Sequence, residues 1–404
     1  MRNQIQRLGI LPGLLTAALL LAGAAGGWAE PKSRTFRQTY PAGQAELRLA
    51  NLAGKIQLVP GAGNQVVIET TVYAEGDDAS ETQALLQGMK WVRSRDRQGR
   101  DEWALSYPVE KYKAFHYPRP GARQKEESGF LAFLESLGSS QTNTTYRGER
   151  VRIYDQRRSS APTLYANVKI ALPPQSNVAV RNVVGGVNGQ GNLQGTLTVD
   201  TGSGDVQLAA HAGKLVVDTG SGDVVIGATR GETSIDTGSG DVVVRRLIGN
   251  ALVDTGSGDV IVENLAAGRV SVDTGSGNVT VRQGTASRVL ADTGSGNVEV
   301  LRVELEELEA DTGSGDVVVD SSLAQARRIV AETGSGDVKI LAGAEASFDI
   351  ESDLGSGDLE VGYADAALRK SGKKVVGARR GDGKTLIRVE TGSGDCVIRP
   401  RGQG

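Results

Sequence analysis

The stretch Leu-Thr-Val-Asp-Thr-Gly-Ser-Gly-Asp-Val-Gln-Leu, residues 197–208, decides the fold, because its central turn returns at nearly constant intervals. The first acidic residue of the turn falls at Asp200, Asp218, Asp236, Asp254, Asp273, Asp292, Asp311, Glu332, Asp353 and Glu390. The successive intervals are 18, 18, 18, 19, 19, 19, 21, 21 and 37 residues, and the last one fits two coils or one coil with an insertion. Such a period indicates a repeat architecture, in which each repeat packs only against its neighbours.

Apolar residues alternate with variable residues on both sides of each turn. Leu215 and Val217 precede one turn, and Val224 and Ile226 follow it. Period two is typical of strands with one buried face, and the same face recurs in every repeat. The sequence therefore predicts an all-β fold: a parallel β-solenoid (β-helix) with about 18–21 residues per coil, plus a mixed α/β insertion.

Each turn needs an acid and two glycines for structural reasons. The glycines permit positive φ, and an acid at the turn entry can accept hydrogen bonds from the next backbone N–H groups. In the first three turns these structural residues are Asp200, Gly202, Gly204, Asp218, Gly220, Gly222, Asp236, Gly238 and Gly240. The threonine after each acid shares the parity of the buried residues, so we expect it to point inward and bond along the stack.

A second acidic position closes each turn, beginning with Asp205 and Asp223. Stacked like charges ~4.8 Å apart repel by roughly 1 kcal/mol per pair even in water, so turn amides or cations must offset that repulsion. Calcium is one such cation, since other β-solenoids bind it at Asp-rich glycine turns. Asn278 and Asn297 favour capping instead, because asparagine keeps the hydrogen bond and lacks the charge.

The tetrapeptide Asp-Thr-Gly-Ser also occurs in aspartic proteases, which need two carboxylates that share a proton across a cleft. Parallel stacking would put these acids in a line instead. His116 and His211 lie far apart without nearby thiols, and Cys396 occupies an inward slot held by valine in most coils. The sequence therefore predicts no catalytic residues, no metal site and no cofactor.

The N-terminus has the order of a secretory signal peptide. Arg2 and Arg7 precede an uncharged run from Leu8 to Ala25, and small residues allow cleavage after Ala29. We therefore expect an exported protein, which is periplasmic, cell-surface or secreted. The single cysteine excludes an internal disulfide framework, and the net charge of −3 does not suggest nucleic acid as a partner.

These patterns divide the chain into a signal peptide (1–29), one or more N-terminal β coils (30–75), an aromatic-rich insertion (76–160) and the solenoid repeats (161–404). The insertion, a possible cap, is predicted to contain a helix from Asp78 to Arg93 with Ser80 as its N-cap, and a second helical pattern from Phe130 to Leu137. A basic segment at 363–384 interrupts the repeats, and a solvated loop is its simplest interpretation, with contact to anionic envelope polymers as the alternative.

Two features are candidates for binding. The first is an aromatic and basic segment that suits a sugar or protein contact, or else packs in the core; its residues are Tyr112, Phe115, His116, Tyr117 and Arg119. The second is a set of outward apolar positions that would mark a partner surface if they are contiguous; they are Val216, Val225, Val243, Leu252, Ile261, Leu290 and Val318.

The coil pattern at 197–208 and its repetitions resemble a widespread bacterial family, the domain of unknown function named "putative adhesin". The resemblance implies a β-solenoid outside the cytoplasm, and the insertion at 76–160 departs from it. The predicted function is a non-enzymatic, adhesin-like scaffold whose partner is an envelope component such as a polysaccharide. A periplasmic sensor that binds a membrane regulator protein is the alternative. A carbohydrate-active enzyme would need carboxylates that break the repeat pattern.

Overall fold

The computed structural model describes residues 31–43, 45–96, 98–118, 141–155 and 160–402. The chain divides into two compact units, unit 1 (residues 1–176) and unit 2 (residues 177–404), and each has its own core. The signal peptide, the helical pattern at 130–137 and Arg119 lie outside the described residues. Within the described part of the chain, no helix is long and apolar enough to cross a membrane.

The described residues of unit 1 form a mixed sheet and one helix. Its elements are β1 (Lys32–Pro41), β2 (Leu47–Ala53), β3 (Ile56–Pro60), β4 (Gln65–Glu75), α1 (Ala79–Gly88), β5 (Trp91–Arg95), β6 (Asp101–Leu105), β7 (Ala114–His116), β8 (Gln141–Tyr146), β9 (Glu149–Tyr154) and β10 (Thr163–Leu172). β4 is antiparallel to both β1 and β10, and β3 joins β10 in parallel. β7 pairs in parallel with β9, which is antiparallel to β8. β6 pairs with β2 and β5.

The helix is shorter than the sequence predicts. α1 ends at Gly88, and Trp91–Arg95 forms β5 rather than the last helical turn. The N-cap is Asp78, not Ser80: the Asp78 carboxylate accepts a hydrogen bond from the backbone N–H of Glu81, 2.7 Å away. The pairing of β5 with β6 supplies backbone hydrogen bonds that outweigh local helix propensity.

The aromatic residues of the insertion form much of the core of unit 1. Tyr107 packs edge to face against Phe115 and Tyr146, with ring centres 5.8 and 5.7 Å apart. The Tyr107 hydroxyl donates to the backbone oxygen of Ala53, and the Tyr146 hydroxyl to that of Ala50. A buried tyrosine needs such a partner, so these rings have fixed positions in the core.

Unit 2 is a stack of parallel coils. Its strands are β11 (Ser176–Val184), β12 (Val187–Ser203), β13 (Val206–Thr219), β14 (Val224–Ile226), β15 (Thr229–Thr237), β16 (Val242–Val244), β17 (Leu247–Thr255), β18 (Val260–Thr274), β19 (Val279–Thr293), β20 (Val298–Thr312), β21 (Val317–Asp320), β22 (Arg328–Thr333), β23 (Val338–Ala342), β24 (Phe348–Leu354), β25 (Leu359–Val361), β26 (Ala367–Ser371), β27 (Lys374–Arg380), β28 (Thr385–Thr391) and β29 (Cys396–Pro400). Equivalent residues pair from coil to coil: Asp218 with Asp236, Asp236 with Asp254, and Asp254 with Asp273. The acid of each turn is therefore aligned with the acid of the next coil, which gives an all-β, solenoid-like stack.

The turn glycines are required by the close approach of neighbouring coils. A Cβ atom at Gly240, where φ is +156°, would lie 2.2 Å from the carbonyl oxygen of Gly222. A Cβ atom at Gly336, which has no left-handed φ, would lie 1.9 Å from the carbonyl oxygen of Gly315. Positive φ, the reason that the sequence suggested for glycine, therefore applies at Gly240 and not at Gly336. Contact with the backbone of the preceding coil applies at both.

The inward position of the threonines is confirmed. Thr274 is 1% exposed, and its hydroxyl donates to the carbonyl oxygen of Gly258 in the preceding coil, 3.0 Å away. The same hydroxyl accepts the N–H of Gly277 at 3.2 Å. Thr293 and Thr312 repeat both contacts. A threonine hydroxyl thus accepts the turn amide in these coils, a role that the sequence assigned to the acid before it.

The acids that close the turns form a continuous hydrogen-bonded ladder. The Asp205 carboxylate accepts the backbone N–H of Asp223 at 3.1 Å, and the Asp223 carboxylate accepts that of Asp241 at 3.0 Å. The side-chain oxygens of Asn278 and Asn297 make the same bond at 2.9 and 2.8 Å. Backbone amides of the next coil therefore offset the repulsion between these carboxylates, and asparagine serves equally well.

The coils at the end of unit 2 do not stack in chain order. β22 and β23 pair with β28 and β29, the last strands of the chain. β24 and β25 pair with the opposite edges of β28 and β29. The coil that carries Glu390 thus lies between the coils that carry Glu332 and Asp353. The 37-residue interval holds one coil and an insertion.

The basic insertion at 363–384 is a hairpin rather than a solvated loop. Its strand β27 pairs antiparallel with β24, the last strand of the stack, and β26 pairs with β27. Lys374 donates to the carbonyl oxygens of Leu354 and Gly355, and Arg369 pairs with Asp349 at 2.5 Å. The hairpin cations therefore bond to the terminal coil and cover its free edge.

We expect Gly240→Ala to lower the free energy of unfolding of unit 2 by about 2 kcal/mol, since the new Cβ would collide with backbone. Ser239→Ala changes the exposed residue beside it and should cost less than about 0.5 kcal/mol. Urea unfolding followed by circular dichroism measures both variants. Equal stabilities would show that the coils can move apart to admit a side chain.

Lys374→Met should loosen the terminal coil, because the carbonyl oxygens of Leu354 and Gly355 lose a charged donor worth about 1.5–3 kcal/mol. Amide hydrogen exchange across 348–361 should become faster. Lys373→Met, at an exposed neighbouring residue, is the control and should leave the exchange unchanged. Equal exchange in both variants would exclude a capping role for Lys374.

Candidate functional site

The segment predicted to bind a partner lies largely inside unit 1. β7 places Phe115 and His116 in the sheet, where both side chains are buried, and Tyr117 is 3% exposed. Tyr112 is half-buried and donates its hydroxyl to the carboxylate of Glu81. This burial favours the packing alternative for the three central residues.

An open groove of about 1230 Å³ lies beside this segment. It is formed by residues 111–114, 143–145, 148–152, 154 and 160–162 of unit 1, and we call it the basic groove. Its ionisable residues, apart from the tyrosines, are four cations and one carboxylate: Lys111, Lys113, Arg150, Arg152 and Glu149. A concave surface of this size with an excess of one charge is typical of a ligand site.

β9 projects two arginines to the surface because its residues alternate. Val151 and Ile153 are 2% and 3% exposed and pack in the core, whereas Arg150 and Arg152 are exposed. Successive side chains of a strand point to opposite faces, so the two guanidinium groups share one face. Their attachment points on this strand are about 7 Å apart.

The neighbouring strands surround these arginines with small and polar side chains. In β8, Thr145 lies opposite Arg150 and Asn143 lies opposite Arg152. In β7, Ala114 pairs with Arg152 and contributes only a methyl group. Directly opposed residues point to the same face of a sheet, so a hydroxyl and an amide flank the two guanidinium groups.

The two lysines of the groove already have partners. The Lys113 ammonium lies 2.7 Å from the Glu149 carboxylate. The Lys111 ammonium lies 4.6 Å from the centre of the Tyr112 ring and 3.9 Å from Glu81. The hydrogen bond from Tyr112 lowers the pKa of Glu81, so this carboxylate is ionised. It holds the Tyr112 hydroxyl and the Lys111 ammonium in place.

The first acids of the turns form an exposed column in unit 2. Partial burial raises the pKa of Asp273, and the neighbouring carboxylates Asp292 and Asp254 raise it further. Burial and then Glu390 raise the pKa of Glu332 in the same way. Among the described residues, no group of three or more His, Cys, Asp or Glu side chains could hold a metal ion. These acids follow the coil period and define no separate site.

His211 and Cys396 are core residues of unit 2. Cys396 is fully buried, and burial raises the pKa of its thiol to about 12, so the thiolate nucleophile is suppressed. His211 is 2% exposed, in a column between Leu193 and Thr229. Burial lowers the pKa of His211 to about 4, so its ring is neutral near pH 7.

The outward apolar positions form no single stripe. Val225, Val243 and Ile261 are stacked in three successive coils and are half-buried. Val216, Leu290 and Val318 are also half-buried. Leu252 is 53% exposed, but serines occupy its position in the coils on either side. A contiguous apolar patch of the kind expected for a partner surface is therefore not formed by these residues.

Fold and site together define an all-β protein with a coil stack in one unit and a cation-lined groove in the other. Residues 234–399 match the family model described as Toastrack DUF4097. This match confirms, for that segment, the resemblance to a domain-of-unknown-function family. No curated protein matches the chain.

The solved structures that match this chain have distant sequences. A "putative lipid binding protein" from Parabacteroides distasonis is 10% identical, with 90% of this chain and 97% of that chain covered and a TM-score of 0.33. A "putative adhesin" from Bacteroides fragilis is 11% identical, with 91% and 98% covered and a TM-score of 0.24. A "putative cell adhesion protein" from Clostridium sporogenes is 9% identical, with 90% and 99% covered and a TM-score of 0.17. At these TM-scores, the names of those proteins carry no information about the function of this chain.

The arginines of the basic groove were missed at the sequence level. The signal is the period-two run Arg150-Val-Arg-Ile-Tyr154, in which cations alternate with apolar residues. The aromatic residues of 112–119 were predicted to bind a partner instead, although large rings are more often core residues than exposed ones.

We expect His211→Leu to remove a pH dependence of stability. The folded pKa of His211 lies near 4 and the unfolded value near 6.5, so between these values only the unfolded state takes up the proton. The wild type should lose up to about 1.4 kcal/mol per pH unit as the pH falls through this window, and nothing above it. Urea unfolding at several pH values measures the difference. Identical pH dependence in both proteins would mean that His211 accepts a proton in the folded state.

Proposed function

We propose that this protein is a non-enzymatic, exported scaffold that binds a component of the cell envelope or cell surface through the basic groove. The observation that carries the proposal is the groove itself, where four cations and one carboxylate line an open concave surface. Arg150 and Arg152 lie on β9, which pairs with β7 and β8, and paired strands hold side chains more rigidly than a loop would.

A binding role fits the chemistry of the described residues better than catalysis. The acids of unit 2 recur with the coil period, and those that close the turns accept backbone amides. The stack of coils, with a repeat of about 18–21 residues, acts in this proposal as a rigid support. No role in the proposal requires a nucleophile, a metal ion or a cofactor.

Export is part of the proposal because of the N-terminal sequence. Arg2 and Arg7, the uncharged run and the small residues before Ala29 have the order of a cleaved signal peptide. A periplasmic, surface or secreted location would bring the basic groove to envelope polymers and surface components.

The test is photo-crosslinking on intact envelopes with the chain from Glu30 to Gly404. A photoreactive residue replaces Asn143 in the basic groove or, as a matched control, Glu299 on an outward position of unit 2. We expect envelope material to crosslink at position 143 and much less at position 299. No crosslinking at position 143, or equal crosslinking at both, would refute binding through the basic groove.

A further inference from the structure

The charge of the basic groove is not neutralised by its own residues. Among the described residues that line it, Glu149 is the one Asp or Glu side chain, and it pairs with Lys113. Within the described part of the chain, Arg150 and Arg152 form no ion pair, and both are exposed. The groove therefore has two guanidinium groups available for an anionic ligand.

The two arginines are arranged for a ligand with repeated charges. Their attachment points lie about 7 Å apart on one face of β9, so they can contact two anionic groups along an extended molecule. Guanidinium binds carboxylate and phosphate through two parallel hydrogen bonds, a geometry that lysine cannot reproduce. A volume of about 1230 Å³ also exceeds the usual pocket of a small molecule, about 300–1,000 Å³.

The neutral side chains around the arginines suit sugar hydroxyls. Thr145 and Asn143 lie opposite Arg150 and Arg152 and offer both donors and acceptors. Tyr154 adds a ring at the end of the row, with its centre 5.7 Å from that of His116. Aromatic rings with a polar tip pack against ligands that have apolar and polar faces.

The groove lacks the features of a membrane contact. Binding to a lipid surface combines basic residues with apolar side chains that enter the acyl region. The large apolar side chains that the described residues leave exposed are Leu252, Leu368 and Leu386, and all three belong to unit 2. The groove is also concave, whereas a bilayer surface is flat.

We propose that the basic groove binds an anionic polysaccharide, with Arg150 and Arg152 as the residues that contact its carboxylate or phosphate groups. This inference rests on the proposed function and specifies the class of envelope component. Thr145, Asn143 and Tyr154 contact the sugar units between the charges.

The experiment measures binding of the chain from Glu30 to Gly404 to defined polymers by isothermal titration calorimetry. Polygalacturonate supplies carboxylates, poly(glycerol phosphate) supplies phosphates, and dextran is the neutral control. We expect binding to one or both anionic polymers, weakening as salt rises, and none to dextran. The polymer that binds shows whether the groove binds carboxylate or phosphate groups.

Charge reversal assigns the binding to the groove. Arg150→Glu with Arg152→Glu should weaken binding by about tenfold or more. Arg245→Glu with Arg246→Glu, an exposed pair in unit 2 with the same change in net charge, should leave the affinity within about twofold. Arg150→Lys with Arg152→Lys should give an intermediate loss, because lysine keeps the charge without the paired hydrogen bonds. Thermal unfolding of each variant confirms that the fold is intact.

Three results would overturn the inference: no binding to either anionic polysaccharide, equal losses for both reversed pairs, or equal binding to poly-glutamate or to vesicles of equal parts phosphatidylcholine and phosphatidylglycerol. The envelope crosslinking separates two kinds of failure. If position 143 still crosslinks to envelope material, the proposed function stands and the ligand class is wrong. If it does not, the proposed function itself fails.

Discussion

In-register stacking is the constraint on which unit 2 depends. Parallel strands lie about 4.8 Å apart, so every residue of a coil has its own equivalent directly above and below it. At the turn and the valine position that follows it, a residue type must therefore be able to stand against a copy of itself at that distance. Valine, threonine and glycine meet this condition for different reasons, which explains why the turn repeats with so little change.

Each column satisfies the condition in its own way. Glycine leaves room where backbones nearly touch, as the 2.2 Å approach at Gly240 shows. The Thr274 hydroxyl donates to the preceding coil and accepts an N–H from its own turn. The acids that close the turns would repel one another, but each accepts a backbone N–H from the next coil. The acids that close the turns, which suggested a cation site, are therefore explained by stacking. Their repetition reflects the scaffold and gives no information about a ligand.

The sequence predicted the local features of unit 2 well and the long-range ones poorly. Strand alternation and the inward threonines follow from periodicity, which reports only on near neighbours, whereas the 37-residue interval left two coils or one coil with an insertion open. The order of the last coils depends on the strand with which β28 pairs. Its pairing with β22, in which Arg328 lies opposite Leu386, cannot be predicted from the neighbouring sequence. The predicted end of the helix at Arg93 was wrong for a related reason, since Trp91–Arg95 becomes a strand only because β6 pairs with it. In unit 1, the burial of Phe115 likewise depends on strands distant in sequence.

The location of the candidate site follows from the same constraint. In unit 2 only the turns and the inward positions repeat, and the outward positions vary one residue at a time, as Leu252 does between two serines. A specific site needs several different groups side by side. Unit 1 can provide them because its strands pair in mixed directions without a repeat, and β9 alternates cations with core residues between unlike neighbours. In the proposed function, the repeats of unit 2 therefore supply rigidity, and the basic groove of unit 1, which lies outside the repeats, supplies the binding chemistry.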